Sequence, residues 1–184
     1  ISKIEYPKDK LEIQVLDDST DETVENTRKH VEKLQTTGLD ITHITRTDRS
    51  GFKAGALKEG LKIAKGEIVA IFDSDFLPKK DWLKQTVPYF KDEAIGVVQT
   101  RWGHINQSYS LLTEVQAFQL NVHFSVEQKG RELGNYLLQF NGTAGVWRSE
   151  AIADASIQFK DTFDSQLLVR KDKGHLNIEF SSKL

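Results

Sequence analysis

The chain has 184 residues, and its 25 basic and 27 acidic side chains give a formal net charge of −2 at pH 7. This near balance argues against a nucleic-acid-binding protein, because such proteins carry a strongly basic face. The sequence contains no Cys, which excludes disulfides, thiolate zinc sites and a cysteine nucleophile.

No apolar run approaches the length of a membrane span and no charged-then-apolar leader is present, so we expect this segment to be soluble. The absence of Met, with Ile1 as the first residue, indicates a segment of a longer protein. Because no linker, repeat or low-complexity tract divides the sequence, we expect one domain over residues 1–184.

The first third of the chain predicts a β-α-β unit, which is the building block of parallel sheets. Alternating apolar and polar residues predict strands at Leu11–Leu16 and Leu39–Ile44. Between these strands, Ser19 and Glu22 have the spacing of a capping box and predict the start of an amphipathic helix.

Charged residues occupy both loops of this unit. Asp17 and Asp18 stand between the first strand and its helix, and Arg46, Arg49 and Lys53 lie at the start of a second helix. Backbone amides and the helix dipole favour a phosphate at such a position, so the basic loop is a candidate anion site. A solvated basic loop explains the same residues equally well.

The most informative stretch is a short apolar run that ends in two carboxylates. Ile68–Phe72 has the pattern of a buried strand, and Asp73 and Asp75 follow it with one residue between them. If the chain turns there, both carboxylates can converge on one ion. Mg²⁺ or Mn²⁺ carrying substrate phosphates suits such a pair, although the two acids could instead cap the next segment and solubilise the strand end.

The remaining sequence predicts further strands and helices. The predicted elements are a buried strand at Ala94–Trp102, a long helix from Ser110 to about Gly130, a strand at Tyr136–Phe140, a turn at Asn141–Gly145, a helix after Asp161 and a strand at His175–Phe180. His123 falls within the long helix. Because the spacing of a zinc motif is absent, we interpret His123 as a core or capping histidine.

Five motifs follow one another in order along the chain: Val15–Asp21, Arg49–Leu57, Phe72–Phe76, Val98–Trp102 and Phe140–Arg148. Together they resemble the cytosolic catalytic domain of a processive family 2 glycosyltransferase of the cellulose synthase-like and mannan synthase-like group. The resemblance implies a GT-A-type α/β fold, with a Rossmann-like, mostly parallel sheet flanked by helices. The family's first strand would precede Ile1, so this partial domain is expected to lack it.

The resemblance also implies an activity and a donor site. The expected reaction is metal-dependent, inverting transfer of a sugar from a UDP- or GDP-linked donor to a growing β-linked polysaccharide, at the cytosolic face of a membrane. By the resemblance, Asp17, Asp18, Lys53 and Asp73 bind the nucleotide diphosphate, and Asp73 and Asp75 bind Mg²⁺ or Mn²⁺.

Acceptor-binding and catalytic residues are assigned from the same family pattern. The predicted acceptor-binding residues are Asn141, Gly142, Thr143 and Trp147. An inverting transferase needs a base for the acceptor hydroxyl, and the family supplies the Asp of a Thr-Glu-Asp motif. Here that motif corresponds to Thr162–Asp164, which makes Asp164 the predicted base.

Two departures from the family pattern keep other functions open. Phe163 stands where Glu is expected, and the family's later Gln-x-x-Arg-Trp motif does not follow Asp164. A non-catalytic nucleotide-sugar-binding module that has lost turnover is therefore one alternative. A nucleotidyltransferase is a second alternative, since its handling of metal and diphosphate is similar.

Overall fold

The structure is a computed structural model that describes residues 1–134, 136, 140–158 and 174–178. The chain divides into two compact units, Ile1–Gly66 and Glu67–Leu184. Each unit contains its own sheet and its own buried residues. The expectation of a single domain stays a prediction.

The N-terminal unit has the β-α-β order that the sequence predicts, followed by a second helix. Its elements are β1 (Glu12–Asp17), α1 (Thr23–Gln35), β2 (Asp40–Thr45) and α2 (Phe52–Ile63). β1 and β2 pair in parallel. Val31 of α1 is buried with Ile13 and Ile41 of the two strands, so the apolar stripe of the helix covers one face of this small sheet.

Helix α1 begins later than the predicted capping box. Its first residue is Thr23, and the N-cap Glu22 makes no side-chain capping hydrogen bond. The backbone N–H of Ser19 donates instead to Asp17 Oδ1 at 2.9 Å, and the N–H of Thr23 donates to Asp21 Oδ1 at 3.0 Å. Aspartate side chains therefore fix this loop, and the predicted box was wrong because short-range Asx hydrogen bonds compete with helix capping.

Arg46 fixes the loop between β2 and α2. Its guanidinium binds both carboxylate oxygens of Asp18, with a distance of 2.8 Å from Nε to Oδ1. It also donates to the carbonyl oxygens of Ser50 and Phe52 at 3.2 and 3.0 Å. Phe52 has a φ of +45°, a left-handed conformation that is costly for a bulky residue and requires such support.

The C-terminal unit contains a four-stranded mixed sheet with helices. Its elements are β3 (Ile68–Ile71), α3 (Trp82–Thr86), β4 (Ile95–Thr100), α4 (Leu111–Val122), a π-helix (His123–Gln128), α5 (Lys129–Leu133), β5 (Gly145–Arg148), α6 (Ser149–Gln158) and β6 (Gly174–Ile178). The strand order is β3-β5-β4-β6. β5 runs antiparallel to both neighbours, whereas β4 and β6 are parallel, so β5 departs from the mostly parallel sheet expected.

The centre of this sheet forms the core of the unit. Val97, Val98 and Val146 have no exposed surface, and Trp147 is 1% exposed. β3 is less buried than the sequence predicts, because β5 is its one partner strand among the described residues and Ala70 remains exposed.

The predicted long helix is present, but much of its apolar surface is exposed. Leu111, Leu112 and Phe118 are 78%, 67% and 69% exposed, whereas Ala117 and Phe124 are buried. At His123 the α-helix changes to a π-helix before α5 resumes the α-helical form. Within the described part of the chain, no helix combines the length and the apolar character needed to cross a membrane.

We predict that Gly55→Ala destabilises the protein. A β carbon on Gly55 would lie 2.1 Å from the Ser50 carbonyl oxygen and 2.6 Å from Arg46 Nη1, so the loop would have to move. We expect the free energy of unfolding in urea to fall by about 1–3 kcal/mol. Gly130→Ala is the control, since nothing lies within 4 Å of the position that its β carbon would take and Ala favours a helix. Equal effects of the two substitutions would contradict this account.

We predict that Asp18→Asn destabilises the protein in a pH-dependent way. The hydrogen bonds from Arg46 lower the pKa of the Asp18 carboxyl. Its charged form therefore stabilises the folded chain above the unfolded-state pKa. This stabilisation is lost as pH falls through the folded-state pKa. In urea denaturation, the variant should be less stable than the parent near neutral pH, and the difference should shrink below about pH 4. Asp9→Asn, in an exposed turn, controls for the loss of one charge. A difference that does not change with pH would exclude this role of the ion pair.

Candidate active site

The two carboxylates of the Asp-Ser-Asp motif lie in a turn directly after β3. The N–H of Phe76 donates to the carbonyl oxygen of Asp73 at 3.1 Å, which closes the turn over Ser74 and Asp75. Asp73 is half-buried and Asp75 is exposed. The chain therefore turns directly after β3, which is the condition under which both carboxylates can converge on one ion.

The Asn141–Gly145 turn is attached to this motif. Thr143 Oγ1 accepts a hydrogen bond from the backbone N–H of Asp73 at 3.0 Å, and Thr143 is 3% exposed. Gly142 and Ala144 have φ values of +78° and +52°, so two of the turn residues are left-handed. A left-handed Ala is costly, and such strain is found most often where function requires it. The structure thus brings together Asp73 and the predicted acceptor turn.

Gln99, near the end of β4, forms hydrogen bonds with the backbone of the same turn. Its Oε1 accepts from the N–H of Asn141 at 3.1 Å, and its Nε2 lies 3.2 and 3.3 Å from the carbonyl oxygens of Thr143 and Ala144. Gln99 is 1% exposed. The motif Val98–Trp102 contains Gln99, but nothing in the local sequence pattern indicates this supporting role.

A cavity of about 350 Å³ lies beside Asp75. Its aromatic lining consists of Phe72, Phe76, Trp82 and Trp102. Trp102 Nε1 and His104 Nδ1 are buried and have no hydrogen-bond partner among the described residues. Aromatic walls with a few polar groups are typical of a ligand site.

The carboxylate oxygens of this turn fit a divalent cation whose coordination is completed by the phosphates of a bound substrate. In the described ranges, no cluster of three or more His, Asp or Glu side chains is arranged to hold a metal. Two carboxylates, Asp73 and Asp75, are nevertheless what Mg²⁺ needs when phosphate oxygens and water complete its coordination. The same oxygen donors suit Mn²⁺.

In the N-terminal unit, Asp17 and Asp18 lie at the end of β1 and are both held by neighbours. Asp17 Oδ2 is 2.9 Å from His43 Nε2 on β2. Burial alone would raise the pKa of the Asp17 carboxyl, but hydrogen bonds from Ser19 and His43 outweigh it and lower that pKa. Both carboxylates are therefore oriented and ionised at neutral pH.

The basic loop is less available to an anion than the sequence suggested. Arg46 is engaged by Asp18 and by two backbone carbonyls, so its role is to hold the loop. Lys53 is exposed in the first turn of α2. Lys53 therefore remains the predicted nucleotide contact, whereas Arg46 does not fit a phosphate-binding role.

Two other predicted site residues differ from expectation or lie outside the described structure. Trp147 is 1% exposed, and its ring packs against Phe140 with the centroids 5.0 Å apart. This burial does not fit the predicted contact with an acceptor sugar, because almost none of the Trp147 side chain reaches the surface. Asp164 lies outside the described residues.

Comparison with known proteins identifies a family for this chain. Residues 2–153 match the model of Glycosyl transferase family 2. The chain is 44% identical over 158 residues to a probable glucomannan 4-beta-mannosyltransferase 7 of Oryza sativa subsp. japonica, covering 83% of this chain and 27% of that protein. It is 43% identical over 157 residues to glucomannan 4-beta-mannosyltransferase 2 of Arabidopsis thaliana, covering 83% of this chain and 29% of that protein.

Two solved structures are also similar. The mannosyltransferase PcManGT of Pyrobaculum calidifontis, in complex with GDP-Man and Mn²⁺, is 30% identical with a TM-score of 0.60, over 83% of this chain and 39% of that chain. S. aureus TarS 1-349, in complex with UDP-GlcNAc, is 19% identical with a TM-score of 0.59, over 96% of this chain and 52% of that chain. These likenesses confirm the GT-A-type α/β fold predicted from the sequence.

The first relatives are much longer than this chain, which spans 27% to 30% of their length. The family model nevertheless covers most of the chain, and the identity to these relatives extends over 83% of it. The chain therefore belongs to glycosyl transferase family 2.

Proposed function

We propose that this chain is the donor-binding part of an inverting, metal-dependent glycosyltransferase that extends a β-linked polysaccharide. The observation that carries the proposal is the Asp73–Asp75 turn, which is hydrogen-bonded to the Asn141–Gly145 turn and lies beside an aromatic cavity. The relatives that are named as glucomannan mannosyltransferases, and PcManGT with its GDP-Man, support mannose as the sugar and GDP as the nucleotide.

The proposed roles fall to two sets of residues, one that binds the nucleotide and one that holds the cation. Asp17, Asp18 and Lys53 bind the nucleotide, and Asp73 and Asp75 hold the cation and orient the diphosphate. A bound Mg²⁺ or Mn²⁺ would offset the negative charge that develops on the departing diphosphate. PcManGT was solved with Mn²⁺, which favours Mn²⁺.

The chemical step is a single displacement at the anomeric carbon. The acceptor hydroxyl oxygen forms a bond to C1 of the sugar, the bond from C1 to the diphosphate oxygen breaks, and a base takes the hydroxyl proton. Asp164 is our candidate for this base on sequence grounds. Asn141, Gly142 and Thr143 remain the proposed acceptor turn, without Trp147, and the whole protein is proposed to work at the cytosolic face of a membrane.

We predict that the chain binds GDP in a metal-dependent manner and that Asp75→Ala abolishes this binding. The variant removes one of the two carboxylates proposed to hold the cation, and the remaining carboxylate alone would hold it too weakly to bridge to the diphosphate. Calorimetric titration with GDP and with UDP, each with and without Mn²⁺, measures the effect. Tighter binding of GDP than UDP would support the mannosyl donor.

Glu93→Ala is the matched control, since Glu93 is an exposed carboxylate in the same unit. Unchanged metal-dependent binding by Asp75→Ala would refute the metal site. Binding without transfer, in the full-length protein, would favour the non-catalytic alternative. Release of pyrophosphate in place of nucleoside diphosphate would favour a nucleotidyltransferase.

We predict that Thr143→Val weakens metal-dependent GDP binding about tenfold, because Asp73 loses the hydroxyl that accepts its backbone N–H. Val matches Thr in shape, so packing should be nearly preserved. Thr143→Ser keeps the hydroxyl and should retain most of the affinity. Equal affinity of the Val and Ser variants would show that the hydrogen bond does not position the metal-binding turn.

A further inference from the structure

Four polar side chains form a network between the π-helix and the acceptor turn. This network, which we call the His123 network, consists of His123, Glu127, Gln128 and Asn141. His123 Nδ1 lies 2.7 Å from Glu127 Oε2, and His123 Nε2 lies 3.1 Å from Asn141 Oδ1. Gln128 Nε2 lies 3.3 Å from Asn141 Oδ1 and 3.4 Å from His123 Nε2. His123 thus connects a carboxylate to the first residue of the turn.

The π-helix is what allows this arrangement. In an α-helix, residues three and four positions apart are neighbours, so His123 would meet Glu127 while Gln128 would point away. The wider i→i+5 winding brings Gln128 to His123 as well, and Gln128 is 1% exposed. Such π-helical segments are rare and occur frequently at functional sites.

The hydrogen-bond pattern assigns one proton of the ring. Glu127 offers a carboxylate acceptor, so His123 Nδ1 carries a proton and donates to it. The other ring nitrogen, Nε2, makes the contact with the Asn141 carboxamide at 3.1 Å. His123 therefore links the Glu127 carboxylate to the acceptor turn through its two ring nitrogens.

These contacts hold the Asn141 side chain in place. Asn141 Oδ1 lies 3.1 Å from His123 Nε2 and 3.3 Å from Gln128 Nε2. Asn141 Nδ2 is buried without a hydrogen-bond partner in the described part of the chain. The contacts with the π-helix are therefore the side-chain interactions that position this carboxamide.

We propose that His123 and Glu127 are positioning residues that orient the Asn141 end of the acceptor turn for a sugar hydroxyl. The inference rests on the proposed function, because it assigns the turn to the acceptor. Thr143 anchors the other end of the turn to Asp73 through a separate hydrogen bond. Loss of the His123 network should therefore impair use of the acceptor while leaving nucleotide binding intact.

The test is the initial rate of transfer by the full-length protein from GDP-mannose with Mn²⁺ to a β-linked manno-oligosaccharide. We expect His123→Ala and Glu127→Ala to raise the acceptor KM about tenfold and to change GDP affinity less than about threefold. Glu127→Gln should recover much of the loss, because its amide oxygen still accepts from His123 Nδ1. The matched control is Glu132→Ala, which removes an ion pair with Lys129 on the same helical run.

Three results would overturn the proposal: an unchanged acceptor KM in both Ala variants, an equal loss of GDP affinity, or a Gln variant no better than Ala. If the unsubstituted protein transfers no sugar, the proposed function fails instead. Nitrogen NMR of the imidazole then still tests the network. His123 Nδ1 should be protonated in the parent, and its signal should change in Glu127→Ala. An unprotonated Nδ1 in the parent would overturn the assignment.

Discussion

The buried carboxamide of Gln99 forms hydrogen bonds with the backbone of the turn before β5. Gly142 and Ala144 of this turn are left-handed, and the Ala144 carbonyl oxygen also accepts from the N–H of Thr100 on β4 at 3.1 Å. Gln99 Nε2 faces the carbonyl oxygens of Thr100, Thr143 and Ala144, and its Oε1 receives the N–H of Asn141. Because buried backbone groups without partners are costly, the turn depends on this side chain for its shape.

In the N-terminal unit, a charged side chain holds the backbone of a loop in a similar way. Arg46 follows β2 and donates to the carbonyl oxygens of a loop in which Gly51 and Phe52 are left-handed. Its charge is matched by Asp18, so the loop is also tied to the end of β1. In both units a polar side chain at a strand end holds the glycine-containing loop that carries candidate site residues. Both loops are held through hydrogen bonds to their backbone groups.

Local patterns in the sequence predicted much of this fold. Apolar alternation located β1 and β2, and the run at Ile68–Phe72 located β3, because these signals depend on neighbours along the chain. The antiparallel direction of β5 was not predictable, since a hydrophobic run indicates a strand but not the direction in which it runs relative to its neighbours. The burial of Trp147 was missed because a motif shared with a family does not distinguish a core residue from a ligand contact. The role of His123 depends on Asn141, which is distant in sequence and which only the fold brings near.

The π-helix at His123–Gln128 also makes this segment sensitive to the deletion of a single residue. A π-helix accommodates one residue more than an α-helix over the same stretch, so deletion of one residue would let the segment relax to α-helical winding. Each residue of an α-helix turns the chain by about 100°. Such a deletion would restore regular helical hydrogen bonds and separate Gln128 from His123. The segment can thus gain local helical stability in a single mutational step, and selection for the acceptor turn would have to oppose that step.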